Sequence, residues 1–280
     1  MPTPIVLPSS PVRTDAVEVT FVGTATTLVS LGGFTVLTDP NFLHQGQHAK
    51  LGYGLRSRRL TEPAMGPEDL PPVDLVVLSH HHGDHFDEVA AAALDKQLPI
   101  VTTPHAARKL ARQGFTAAHP LRTWETQVVR RGSDRMSVTA LPGKHARQPL
   151  RSLLPPVMGS MLESALPDGR VVSLYITGDT LVHDGLAEIR RRYPSIQLAL
   201  LHLGGTRVFG VLLTMDAAQG VEALQTVRPE RAIPIHFDDY TVFKSPLSDF
   251  LREVEGAGLD TEVITLERGE TYRLPSSQEP

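Results

Sequence analysis

The stretch VDLVVLSHHHGDHFD, residues 73 to 87, places four histidines and three aspartates in and directly behind an apolar run. The run itself reads as a fully buried strand ending at Ser79. Side chains alternate along a strand, so His80 and His82 project to one side and His81 to the other, as a supporting or surface residue. Gly83 lets the backbone turn sharply, which brings Asp84 and His85 back toward the same space. Four groups able to hold a metal thus fall within six residues. Neutral imidazole and carboxylate both bind zinc, whereas burying them with no partner would be costly.

Four local ligands cannot fill two coordination shells, so further ligands are expected from later strand ends. His145 follows MSVTALPG, Asp179 follows VVSLYITG and His236 ends RAIPIH. Each is a lone ligand-type residue where a buried strand meets a loop, the place where layered α/β folds carry function.

Around this centre the sequence alternates strands and helices. VEVTFVG, TTLVSLG and FTVLTDP read as an antiparallel meander, and the strand after them leads into helices at DEVAAAALDKQ and PHAARKLARQG. The second half repeats the alternation. Helices are expected at HDGLAEIRRRY, TMDAAQGVEALQTVRP and SPLSDFLREVEGAG, with Thr214 and Ser245 as N-caps and Pro246 in the first turn. Strands leading into helices twice over fit an α/β (α+β) fold of two mixed sheets packed face to face with helices outside. One domain is expected over 1–280, with frayed ends at 1–15 and 275–280. Residues 40–72 read as a long functional loop. The segment from Gly143 to Asp168 breaks all periodicity, and its apolar residues suit a lid, a dimer contact or core packing.

Composition bounds the function. The chain has 280 residues, 41% of them hydrophobic, a net charge of −4 and no cysteine. Disulfides, thiolate ligands and a cysteine nucleophile are excluded, so a metal must be held by His, Asp or Glu. Basic residues are scattered, which argues against nucleic acid as a partner. The opening MPTPIVLPSSPVRTD lacks a basic leader, so no signal peptide is expected and the protein is read as cytoplasmic. No apolar run approaches the length of a transmembrane helix.

The combination resembles the metallo-β-lactamase superfamily. SHHHGDH matches its H-x-H-x-D-H signature, and GKH, TGDT and PIHF follow in its order. The resemblance spans nearly the whole chain. It implies a four-layer αββα sandwich, with His80, His82 and His145 on one metal, Asp84, His85 and His236 on the other, and Asp179 bridging them. VLTDPNF, LPPVDLVVLSHHHGDHFD and TWE further resemble the branch containing N-acyl-phosphatidylethanolamine phospholipase D and the ascorbate-6-phosphate lactonases. The implied protein is a dinuclear hydrolase using a metal-bridging hydroxide on a phosphodiester or phospholipid-like substrate. Its alternatives are a lactonase acting on a phosphorylated sugar-acid lactone and a metal-dependent binding or regulatory protein. Zinc is the first expectation, ahead of manganese or iron.

Supporting roles follow from position. Asp84 is the candidate catalytic group, orienting the nucleophile and receiving its proton. His183 and His202 are candidates for substrate binding, although a solvated helix-start position suits His183 equally and a hydrogen-bonded core position is the commoner fate for a residue placed like His202. Asp39 in LTDP is expected to orient a metal-bound histidine. Arg56, Arg58 and Arg59 read as an exposed charged loop able to meet a phosphate. His44 and His48 are placed near the site, while His105 and His119 read as cap and loop residues. A small-molecule or lipid-like substrate is the expected partner, and a homo-oligomer is left open.

Overall fold

The computed structural model describes residues 2–9, 16–146, 154–208 and 210–275. In the first half, β1 (Ile5–Val6) precedes a meander of β2 (Glu18–Gly23), β3 (Thr26–Leu31) and β4 (Phe34–Thr38). A hairpin of β5 (His48–Gly52) and β6 (Leu55–Arg58) follows, then β7 (Leu75–Leu78), α1 (Glu88–Ala93), β8 (Ile100–Thr102), α2 (Pro104–Arg112) and β9 (Ala118–Pro120). The second half runs β10 (Thr126–Arg131), β11 (Asp134–Pro142), β12 (Met158–Ala165), β13 (Val171–Ile176), α3 (Gly185–Arg192) and β14 (Leu198–His202). It continues with a short hairpin, β15 (Arg207–Val208) and β16 (Val211–Leu212), then α4 (Ala217–Val227), β17 (Arg231–Ile235), α5 (Leu247–Ala257), β18 (Glu262–Val263) and β19 (Thr271–Arg273).

The strands form two mixed sheets, ordered β19-β2-β3-β4-β7-β8-β9 and β1-β10-β11-β12-β13-β14-β17-β18. Their inner faces share one core: Val29, Val36, Leu75 and Val77 from the first meet Val138, Leu162, Leu174 and Leu200 from the second. The outer faces are covered separately. Val76 and Leu78 pack toward α1 and α2 with Ala90 and Leu110, while Ala199 and Leu201 pack toward α3, α4 and α5 with Leu186, Val221 and Phe250. The apolar run of β7 therefore feeds two cores in alternation, which is why it carries no polar face. The layers are αββα.

Three sequence expectations need correction. Met158–Ala165 is a strand paired on both sides, to β11 and β13, although the sequence there shows no clear period. Gly159 costs roughly 0.5–1 kcal/mol in a strand, but burying Met158, Met161 and Leu162 returns roughly 1.5–3 kcal/mol each, so packing decides. These residues are core. Residues 147–153 of that segment lie outside the described residues. Residues 40–72 contain the β5–β6 hairpin rather than one long loop. At the amino end, Ile5 and Val6 pair in parallel with Val129 and Arg130, so that part is ordered, while 10–15 and 276–280 lie outside the described residues.

The helix caps also differ. Asp216, not Thr214, caps α4 by accepting the Gln219 amide, and Ser245 Oγ accepts the Ala217 amide of α4 rather than capping α5. Among the described residues no helix is long and apolar enough to cross a membrane.

Candidate metal centre

The site is assembled at the carboxyl ends of strands. Asp39 follows β4, His80 follows β7, His145 follows β11, Asp179 follows β13, His202 ends β14 and His236 follows β17. β4 and β7 run parallel, as do β13, β14 and β17, so these ends open on one rim. Gly178 reaches its place at φ 61°, where a Cβ would lie 2.7 Å from Met158 O, and so lets the chain turn into Asp179.

Two ligand sets converge there. His80, His82 and His145 form a trio, and Asp84, His85, Asp179 and His236 form a quartet. Asp179 faces both: its Oδ2 lies 3.2 Å from His85 Nε2, 3.9 Å from His80 Nε2 and 4.0 Å from His145 Nε2, and its Oδ1 lies 3.6 Å from His236 Nε2. Asp84 Oδ2 is 3.7 Å from His236 Nε2. Within the trio, His80 Nε2 and His82 Nδ1 are 3.0 Å apart. Zinc–nitrogen bonds of roughly 2.0–2.1 Å in a tetrahedron set donor atoms about 3.3 Å apart, so this spacing suits a shared cation.

The outer nitrogens are engaged by the surrounding chain. His145 Nδ1 is 3.1 Å from Leu213 O, and His236 Nδ1 is 3.2 Å from Leu203 O. His80 Nδ1 lies 3.0 Å from Ser79 Oγ. His85 Nδ1 is 3.1 Å from Asp39 Oδ2, whose other oxygen accepts the Ser79 amide at 2.7 Å. A donor nitrogen held outward leaves the Nε2 lone pair inward, the tautomer that a metal ligand needs. His82 is the exception, presenting Nδ1.

Electrostatics divide the two sets. Burial, reinforced by neighbouring histidines, keeps His80 well below its ordinary pKa and brings His82 to about 3; burial also lowers His145. The trio is neutral and ready to donate lone pairs. In the quartet burial opposes charge but loses. Asp179, Asp39 and Asp84 hold His85 well above its ordinary value, and Asp179 and Asp84 raise His236. Reciprocally, despite burial, His236 and His85 hold Asp179 well below the carboxylate range.

The residues fit a metal on the structure's own terms. Asp84 Oδ1, Asp179 Oδ1, His85 Nε2 and His236 Nε2 are buried and make no well-formed hydrogen bond, although both imidazole nitrogens face Asp179 oxygens at 3.2 and 3.6 Å. Four such atoms in one cluster would be expensive to keep unless something compensates them. A divalent cation does so with these donor types.

The seven expected ligands are thus brought together. His81 turns away as expected, with Nε2 3.2 Å from Gln113 Oε1. Asp39 stands behind His85, as expected of an orienting carboxylate. His202 stands there too, against the expectation of a substrate contact: fully buried, it stacks on His85 with Nε2 3.4 Å from Asp39 Oδ2. His183 is engaged locally, its Nδ1 accepting the Gly185 amide at the start of α3. His44 is exposed and pairs with Glu62, and His48 lies on the exposed side of β5.

A buried polar network behind the ligand loop had no clear signal in the sequence. Arg59, expected on an exposed loop, is fully buried, and its Nη1 donates to Asn41 Oδ1 at 2.5 Å. Asn41 Nδ2 in turn donates to Gly83 O at 2.8 Å, and Tyr240 OH donates to Asn41 Oδ1 at 3.0 Å. Asp87 is no ligand. It caps α1 through the Ala90 amide and accepts the amides of Phe42 and Leu43. Gly83 matters for proximity rather than for a turn: a Cβ there would meet Lys50 N at 2.5 Å.

A cleft of about 1240 Å³ opens beside the trio, lined by His82, Lys50, Tyr53, His105, Lys109 and the Leu154–Pro156 segment. His82 is the trio member that solvent reaches.

Comparison with known proteins finds relatives over nearly the whole chain. A "UPF0173 metal-dependent hydrolase" of Archaeoglobus fulgidus is 28% identical over 270 residues, covering 92% of this chain and 99% of the relative. One of Methanopyrus kandleri is 28% identical over 260 residues, covering 91% and 99%. Among solved structures, a possible metal-dependent hydrolase from Veillonella parvula superposes with a TM-score of 0.78 at 20% identity, covering 92% of this chain and 99% of that one. An isothiocyanate hydrolase from Delia radicum gut bacteria gives 0.78 at 19% identity, covering 92% and 100%. The profile of the beta-lactamase superfamily domain matches residues 35–237, a span that contains every ligand-type residue from Asp39 to His236. The chain belongs to the β-lactamase superfamily and has its metallo-β-lactamase fold.

Proposed function

We propose that this protein is a metal-dependent hydrolase with a centre for two divalent cations, zinc first among them, acting on a phosphodiester of phospholipid-like character. The observation that carries the reading is Asp179, a member of the mixed quartet with Asp84, His85 and His236, whose Oδ2 also lies 3.9 and 4.0 Å from His80 and His145 of the nitrogen trio. The archaeal relatives share the name metal-dependent hydrolase over nearly their full length.

His80, His82 and His145 would hold one cation, and Asp84, His85 and His236 the other. When bound, such a pair supplies Lewis acidity and a water that ionises near neutral pH. The chain's own residues supply the rest. Asp84, with Oδ1 free of hydrogen bonds, orients the attacking water and takes its proton. Asp39 holds His85 in place from behind. Lys50 and Lys109 on the cleft wall complement an anionic group next to His82.

The test loads the purified protein with zinc, measures bound metal by mass spectrometry and assays bis-p-nitrophenyl phosphate, phospholipid and lactone substrates. Phosphodiester turnover that chelation abolishes and zinc restores is the expected result. Turnover of phosphorylated lactones alone would replace the substrate assignment. Two bound metals with no turnover on any of these would favour a binding or regulatory protein.

A further inference from the structure

The β5–β6 hairpin has two unlike faces. Ala49 and Ser57 are buried, while His48, Lys50, Arg56 and Arg58 are exposed. The register pairs Lys50 with Arg56 and His48 with Arg58, so that the basic side chains lie opposite one another on one face. Like charges directly opposite in a sheet destabilise it. Only Lys50 has a counter-ion, Glu88 at 3.2 Å; among the described residues Arg56 and Arg58 make no ion pair. The tip, Gly52-Tyr53-Gly54-Leu55, is apolar and exposed, with Tyr53 76% accessible and Leu55 36%. Across the cleft, Lys109 of α2 lines the wall, and Arg108 and Arg112 are exposed on the same helix; among the described residues none of the three makes an ion pair. On a chain of net charge −4, the exposed face of this hairpin is locally basic.

We propose that this hairpin docks the protein on an anionic lipid surface, with the Tyr53–Leu55 tip in the interfacial layer and Arg56, Arg58 and Lys50 against the headgroups. An aromatic and a leucine between basic residues suit an interface that is apolar on one side and negatively charged on the other. An anionic surface removes the repulsion that the cross-strand pairs carry. The docked hairpin brings the cleft and His82 to the headgroup level, which extends the phospholipid-like reading of the substrate on which this proposal rests.

The test is co-sedimentation of the zinc-loaded full chain with phosphatidylcholine vesicles and with vesicles containing phosphatidylglycerol, at low and at physiological salt. Binding is expected to the anionic vesicles, weakening as salt rises. Each basic residue near such a surface contributes about a five-fold factor, so Arg56→Gln/Arg58→Gln should bind about twenty-five-fold more weakly. Tyr53→Ala should weaken binding further without changing its salt dependence. Unchanged melting temperature and metal content verify that the variants are folded. Failure to bind anionic vesicles, equal binding to neutral ones, undiminished binding by the double variant, or tighter binding to short duplex nucleic acid at the same salt would each overturn the proposal. Vesicle binding is read without turnover. Binding with no phospholipid hydrolysis would sink the substrate assignment alone, and soluble-phosphodiester turnover with no vesicle binding would sink the docking alone.

Discussion

Replacing Asp39 by Asn removes one buried charge beside the centre while leaving the local backbone in place. Asp39 sits at φ 36°, a conformation that Asn tolerates, and the Asn amide oxygen can still accept the Ser79 amide. Burial opposes the ionised form, yet His85 and hydrogen bonds from His202 and His85 bring Asp39 from 3.8 down to about 2. A difference of that size corresponds to about 2 kcal/mol of fold stability in the metal-free protein. Because the folded value lies below the unfolded one, the contribution is complete above about pH 4 and disappears as the pH falls toward 2. At pH 7 the chelator-treated variant should therefore melt about 4–8 °C lower than the parent. With His85 no longer oriented by a charged partner, zinc affinity should fall about 10–100-fold. Calorimetric melting and a competitive chelator titration measure the two effects. A variant with parental melting temperature and parental zinc affinity would refute the role assigned to this carboxylate.

Asp179→Ala should abolish turnover and lower the metal content while circular dichroism stays unchanged; normal turnover with full metal content would remove it from its place between the two sets. In Gly83→Ala the new methyl meets Lys50 backbone rather than a flexible side chain, so a loss of about 1–3 kcal/mol is expected in urea unfolding. Finally, the surrounding carboxylates outweigh burial and raise His85 well above, and His236 above, the ordinary imidazole value, which favours their protonated forms in the metal-free protein, so a cation must compete with protons for these nitrogens. Zinc binding should release protons and strengthen as the pH rises; calorimetry in two buffers of different ionisation enthalpy measures the number released, and zero would contradict the charge state described.

Much of the candidate centre was legible because its residues lie at, or in the loop directly after, the ends of apolar strands. His80, Asp179 and His236 stand out as lone polar residues after runs that can only be buried, and the layered fold brings such ends to one rim. β12 was not legible. Prolines precede it, and Gly159, Ser160 and Ser164 interrupt its apolar residues, so only pairing to strands on both sides gives it a period. The Asn41–Arg59–Tyr240 network was hidden for another reason: its members lie far apart in sequence, and an arginine in a charged stretch looks solvated. His202 shows the limit of the strand-end rule, which brings a residue to the rim without saying whether it faces the cleft or lies behind a ligand.

The carbonyls of Leu203 and Leu213, which receive the outer nitrogens of His236 and His145, are only ten residues apart in the chain and flank the β15–β16 hairpin. One short segment thus holds a ligand of each set by its far side. Any shift of that hairpin moves both imidazoles at once, so the two halves of the centre are mechanically ganged, and substitutions there would retune the affinities of the pair together.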